Sequence, residues 1–283
     1  TTKKGKSGDI RVNYNAYMGI DNVIKKLDLM NSQQWVELVE EMSTSKKPFT
    51  TNPDTFKTYD WQDIFFREAI SQNHDLSISG GSDKSTFLLS SSYSKEEGII
   101  KNTDHQRFTL RLNSEHKINK YVTFEEKISY VNNVTKGFAD WEYSGYYQNP
   151  VMAAYQMIPY QPAYKEDGTW TEPYGGVTNP MVGIDMKNNT MRSNNFEGNF
   201  SVNITPLKGL TYTSRFTQGL NFGDNKEYQA KYFASATNRR DQNALIQSMN
   251  RGLSWNVQNI LTYTNTLFDS HNFSVMAGHE AGK

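Results

Sequence analysis

Between Asn195 and Ile204 the chain alternates without a fault. Phe196, Gly198, Phe200, Val202 and Ile204 fall on one side, and Asn195, Glu197, Asn199, Ser201 and Asn203 on the other. Side chains in a strand point to opposite faces with period two, so this is a strand with one apolar and one polar face. The same pattern predicts nine strands, at about 10–20, 75–80, 85–95, 106–117, 121–131, 195–204, 208–218, 251–265 and 271–278. The fifth groups Val122, Phe124, Ile128 and Tyr130, with Glu126 interrupting that apolar face.

Two helices are predicted between the first and second strands. Asn31 or Ser32 caps the first, whose Trp35, Leu38, Val39 and Met42 form an i, i+3, i+4, i+7 stripe expected to pack on the sheet rim. Lys47-Pro48 and Asn52-Pro53 break the chain beyond it. The second helix is predicted over Trp61 to Ala69, with Asp60 as cap.

The connections come in two sizes: long (21–73), short, medium, short, very long (132–191), short, long (219–250), short. Every second one is tight. In an up-and-down meander alternate connections lie at the same end, so one end carries turns and the other elaborate loops, as in outer-membrane barrels. The strands approach the ~9–11 residues that a tilted membrane-spanning strand needs. A soluble β-sandwich or solenoid would show the same alternation, because alternation alone does not say whether an apolar face meets lipid or a protein core.

The segment 132–191 holds five of the eight prolines and ten aromatic residues, and Asp167-Gly168 marks a turn inside it. A loop this long is uncommon unless functional or disordered, and its aromatic content argues against disorder. Trp141, Tyr143, Tyr146, Tyr147 and Trp170 are the candidates for contacting a ligand or a covering protein. Aromatic faces stack on sugar rings; the alternative is that they pack the loop against itself.

Composition narrows the class. Only 36% of residues are hydrophobic and mean hydropathy is -0.74. No run approaches the ~20 apolar residues of a spanning helix, but a barrel needs apolar residues only at alternate positions. Lys+Arg and Asp+Glu balance at 30 each, which leaves no electrostatic footprint for nucleic acid. Absence of Cys excludes thiolate chemistry in this chain. The five histidines lack metal-ligand spacing, and Glu96-Glu97 and Glu125-Glu126 point to opposite faces of their strands, so neither doublet is an acid/base pair. No catalytic motif is present, so no enzyme activity, metal or cofactor is expected. The chain is read as an internal piece of a longer protein, since it opens on a polar hinge, Thr1 to Gly8, without a signal segment.

That hinge, followed by Val12-Asn13-Tyr14-Asn15, resembles the plug–barrel junction of the SusC/RagA family of TonB-dependent outer-membrane transporters. The stretches 27–35 (Leu-Asp-Leu-Met-Asn-Ser-Gln-Gln-Trp), 73–84 and 97–101, with Arg107-Phe108 downstream, are similar to the same family. The resemblance is close and in order to about residue 135 and looser beyond. It implies a ~22-stranded barrel with a plugged lumen, of which residues 1–9 would end the plug and 10–283 would form the first nine strands. The long connections would be extracellular. It also implies a SusD-like surface lipoprotein as lid, the TonB–ExbB–ExbD complex as energy source, and import of oligosaccharide or peptide. The readings from other classes are a soluble or surface-anchored carbohydrate-binding protein and an unplugged porin.

Overall fold

The computed structural model describes residues 5, 7–43, 56–137, 150–172, 179–233, 236, 239–268 and 270–283. Its strands are β1 (Gly8–Asp21), β2 (Ala69–Gly81), β3 (Ser85–Glu97), β4 (Asp104–Lys117), β5 (Val122–Gly137), β6 (Lys187–Leu207), β7 (Leu210–Gln229), β8 (Tyr232–Phe233), β9 (Arg239–Arg240), β10 (Ala244–Leu267) and β11 (His271–Gly282). β8 and β9 pair only with each other. The other nine form one antiparallel sheet, each bonded to the next along the chain, with β1 and β11 as open edges. This is an unclosed stretch of up-and-down barrel wall.

The tight turns share one end. Between β6 and β7 only Lys208 and Gly209 intervene, and Gly209 has φ 84°, the left-handed backbone that a two-residue hairpin favours. The opposite end carries the long connections and, among the described residues, the helices α1 (Ser32–Met42), α2 (Trp61–Phe65), α3 (Pro150–Gln156) and α4 (Pro180–Met186).

The cross-strand partners show what each face presents. Tyr14, Leu76, Ser91, Leu110, Tyr130, Phe196, Leu220 and Leu253 stand in one row across the sheet. The neighbouring row runs Val12, Ile78, Leu89, Leu112, Ile128, Gly198, Gln218, Trp255. Part of this band is uncovered, with Val12 62% exposed and Leu253 54%, while Ile78, Leu89, Leu112 and Ile128 are half-covered by their neighbours. Such an apolar expanse belongs against lipid.

The apolar band also slides along the sheet. On β1 it spans Ile10 to Ile20, and on β11 Phe273 to Ala281. Followed through the partner rows, its midpoint moves by about nine residues over the eight strand steps. At ~3.4 Å per residue and ~4.8 Å per strand this is ~30 Å against ~38 Å, a strand tilt of about 40°. Membrane barrels tilt their strands by ~35–45°. A level lipid layer crossing tilted strands requires this drift; a soluble sheet does not.

Several predicted boundaries are corrected. The connections predicted over 132–191 and 219–250 are shorter, because β5 runs to Gly137, β6 starts at Lys187, β7 reaches Gln229 and β10 starts at Ala244. Likewise β2 begins at Ala69, inside the connection predicted over 21–73. The β7 extension is polar on both faces over Asp224-Asn225-Lys226-Glu227, and the β10 extension carries Leu245, Ile246 and Met249 without strict alternation, so the hydrophobic pattern fades while the backbone ladder continues. The predicted helix over 61–69 ends at Phe65, where the chain turns into β2. On α1 the buried positions are Ser32 and Val36, not the predicted stripe; Met42 is 74% exposed. Ser32 is small and bonds the Lys57 carbonyl and Thr58, which draws segment 57–58 against that side of the helix. Glu126 does lie on the apolar face, between Phe124 and Ile128, and accepts a hydrogen bond from Ser114 at 2.7 Å.

Candidate functional site

Among the described residues, the buried hydrophobic core lies in the layer of loops that caps one end of the sheet. Trp61, Phe65, Ala154, Met157, Ala163, Met181 and Ile184 form it, with Ile64, Phe66, Ile100, Val151 and Trp170 packed around them. Local signals build the cap. Asn31 and Gln34 make a reciprocal capping box that starts α1. Asp60 accepts from the Gln62 and Asp63 backbone N–H groups and starts α2. Trp61 then enters the core and donates its indole N–H to the Ile158 carbonyl at 3.2 Å, joining loops 97 residues apart in sequence. Lys26 ion-pairs with Asp63, which raises the lysine and holds the carboxyl below the usual range.

Of the predicted site residues, Trp141, Tyr143, Tyr146 and Tyr147 lie outside the described residues. Trp170 is described, and it is part of the cap. It bridges to Tyr164 across the turn at Gly168, donates to Asp185 Oδ2 at 3.0 Å and packs edge-on against Tyr232 at 6.2 Å. Tyr164 donates to the same Asp185 oxygen at 2.8 Å. Partial burial, and then the Asp185 carboxylate, push the Tyr164 hydroxyl above the usual phenol range, so it stays a donor. Tyr160 stacks with Phe56 at 5.0 Å and meets Trp35 edge-on at 5.5 Å. Leu27, Leu29, Met30, Trp35, Tyr59 and Tyr155 contribute to a cap hollow of about 370 Å³.

Below the cap, the face opposite the apolar band is polar. One row runs Glu115, Glu125, Ser201, Arg215, Gln258, Glu280 across β4 to β11. Arg215 donates to Ser201 at 3.3 Å and to Gln258 at 3.2 Å; Asn199 donates to Thr217 at 2.9 Å, and Thr213 to Asn203 at 2.7 Å. Nearer the loops the lining becomes rich in amides, with Glu197 among them. Asn133, Ser193, Asn221, Asn225 and Asn250 border a concavity of about 500 Å³. Asn195, Thr217, Gly219, Asn221 and Ser254 border the next, of about 510 Å³. Sequence reasoning reached only part of this lining, Asn195, Glu197, Asn199 and Arg215, because a polar strand face suits bulk solvent as well as a wet lumen. Their common signal is the run of Asn, Ser and Thr at alternate positions of β5, β6, β7 and β10.

Comparison with known proteins agrees with this geometry. No family model matches the chain. It is 24% identical to the TonB-dependent receptor P26 of Formosa agariphila over 98% of this chain and 28% of that protein. It is 26% identical to the TonB-dependent receptor SusC of Bacteroides thetaiotaomicron over 71% of this chain and 22% of that protein. The chain thus spans less than a third of the length of these relatives. Among solved structures it superposes on the RagAB peptide transporter with a TM-score of 0.82 and 19% identity, covering 99% of this chain and 35% of that one. That structure shares the fold of a membrane barrel wall. In sequence the chain is thus similar to TonB-dependent receptors, SusC among them, and in fold to the barrel wall of the RagAB transporter.

Proposed function

We propose that the chain forms part of the wall and outer loops of an importer that carries an oligosaccharide or peptide across the outer membrane. One observation carries this reading: a sheet whose outer face suits lipid and whose inner face is lined with amides and hydroxyls. Such a lining exchanges hydrogen bonds with a polar solute as readily as water does, so it offers passage without a deep trap. In this reading the loop end faces outward and the tight turns face the periplasm. A plug fills the lumen, a SusD-like lipoprotein covers the cap, and TonB–ExbB–ExbD supplies energy through the plug.

The test is uptake. Cells that make the full-length protein should accumulate a fluorescent oligosaccharide or peptide, and accumulation should collapse on its deletion and on addition of a protonophore. Uptake indifferent to the proton gradient would leave a passive porin instead. We assign ligand or lid contact to Trp141, Tyr143, Tyr146, Tyr147 and Trp170. Because Trp170 is tied into the cap, Trp141→Ala is the sharper variant. It should weaken ligand or lipoprotein binding about tenfold with the barrel assembled. Unchanged affinity for both would remove Trp141 from the site.

A further inference from the structure

We propose that Arg192, Lys226 and Arg251 form a docking site on the lipid-facing side of the wall for the phosphate groups of the glycolipid in the membrane's outer leaflet. The inference rests on the reading above that the loop end faces outward. It starts from an asymmetry. The lysines and arginines that share the apolar face of the nine strands are Lys95, Lys136, Arg192, Lys226 and Arg251, and each lies on the loop side of the band. On the turn side the same face carries none among the described residues. A face that merely met water at both ends would have no reason to sort its cations this way.

Three of the five gather on β6, β7 and β10. The apolar set of these strands ends toward the loops at Phe196, Phe222 and Leu253. On the same face Arg251 is the next side chain after Leu253, Arg192 the second after Phe196, and Lys226 the second after Phe222. At ~3.4 Å per residue and a tilt of ~40°, each such step rises ~5 Å. The three side chains therefore leave the backbone ~5–10 Å above the hydrocarbon, and their flexible stems reach back toward it. The headgroup layer occupies about 5–7 Å on each side of the hydrocarbon core. This is the height at which lipid phosphates lie.

The local charge is in excess. Asp224 is the carboxylate among the three cations, and it is already matched by Arg192 at 3.8 Å and by a hydrogen bond from Gln247 at 3.0 Å. Arg251 lies over the Phe222 ring, 5.7 Å from its centre, which holds the guanidinium at the margin of the band. Arg192 is 53% exposed, and Lys226 and Arg251 are exposed as well. Two planar guanidinium groups suit phosphate oxygens, and the lysine adds a mobile point charge. The occupant must present anions at one fixed level directly above lipid tails, on a surface continuous with the apolar band. A phosphorylated lipid meets both conditions. Bound there, it fixes the depth of this part of the wall.

The experiment uses the full-length protein refolded in detergent free of lipopolysaccharide, with heat-modifiable migration as the control for an intact barrel. Binding of diphosphoryl lipid A and of the same lipid stripped of phosphate is titrated by native mass spectrometry. Wild type should bind the phosphorylated form about tenfold more tightly. R192Q/R251Q should lose most of that preference. K120Q/K208Q, which removes the same charge at the turn end, should keep it. Millimolar inorganic phosphate should not displace the lipid. Equal binding of the two lipids by wild type, which requires no variant to fold, overturns the site. So does an equal loss in both double variants, and so does displacement by inorganic phosphate, which would make the site one for the free ion. No transported solute enters the measurement, so the site stands or falls separately from import.

Discussion

At the scale of single residues, Trp61 and Gly209 hold the two ends of the wall. Trp61 is 2% exposed and joins two loops through its indole N–H. Trp61→Ala should cost the cap about 3–5 kcal/mol, the range for emptying a buried aromatic site. The expected result is faster proteolysis in residues 56–66 and 150–172 while the barrel keeps its heat-modifiable migration. Gly209 combines φ 84° with a packing limit, since a Cβ would lie 2.2 Å from the Thr264 carbonyl oxygen. Gly209→Ala should therefore slow assembly of the β6–β7 hairpin, measured as a lower folded fraction after refolding into detergent; an unchanged fraction would show that the turn relaxes freely. The turn was legible in the sequence because glycine after Lys208 announces it. The partner of Trp61 was not, because nothing local links residue 61 to residue 158.

At the scale of elements, the band drift sets how deep each position lies. On β10 the apolar set runs from Leu253 to Tyr263, so Val257 lies near its middle, while Met249 stands beyond it on the loop side. An arginine at mid-bilayer costs a barrel about 2–4 kcal/mol, falling to about 0–1 near the interface. Val257→Arg should therefore lower the unfolding midpoint in lipid vesicles clearly, and Met249→Arg hardly at all. Equal effects would contradict the tilt. The strand cores at 85–95, 106–117 and 195–204 could be read directly, because lipid on one side and water on the other writes alternation into them. The ends of β5, β6, β7 and β10 could not, since strand pairing in water demands no apolar residues. The α1 stripe misled for a different reason: Ser32 packs by being small and hydrogen-bonded, which hydrophobic periodicity does not register.

At the scale of the whole molecule, the cap owns the buried core and the sheet exposes both its edges and its lipid face. A 283-residue chain produced alone in water should aggregate, and it should disperse only with detergent. A stable soluble monomer by light scattering would overturn the barrel. Much of this architecture was visible in the order of connection lengths, which depends on topology and not on side-chain detail. The polar lining of the inner wall was harder to see, because it arises from residues of four strands that become neighbours only when the sheet forms.

The length of β10 has a consequence for where a solute would be met under the proposed function. From Leu253 the strand continues to Ala244, beyond the apolar band. At ~3.4 Å per residue and the tilt above, this lifts the rim some 20–25 Å over the hydrocarbon surface, close to the ~25 Å height of a barrel's apolar band. The opening thus stands above the membrane like the collar of a well. Under the proposed function, a bulky solute would settle at its mouth in bulk water, away from the crowding of lipid headgroups, before it reached membrane depth.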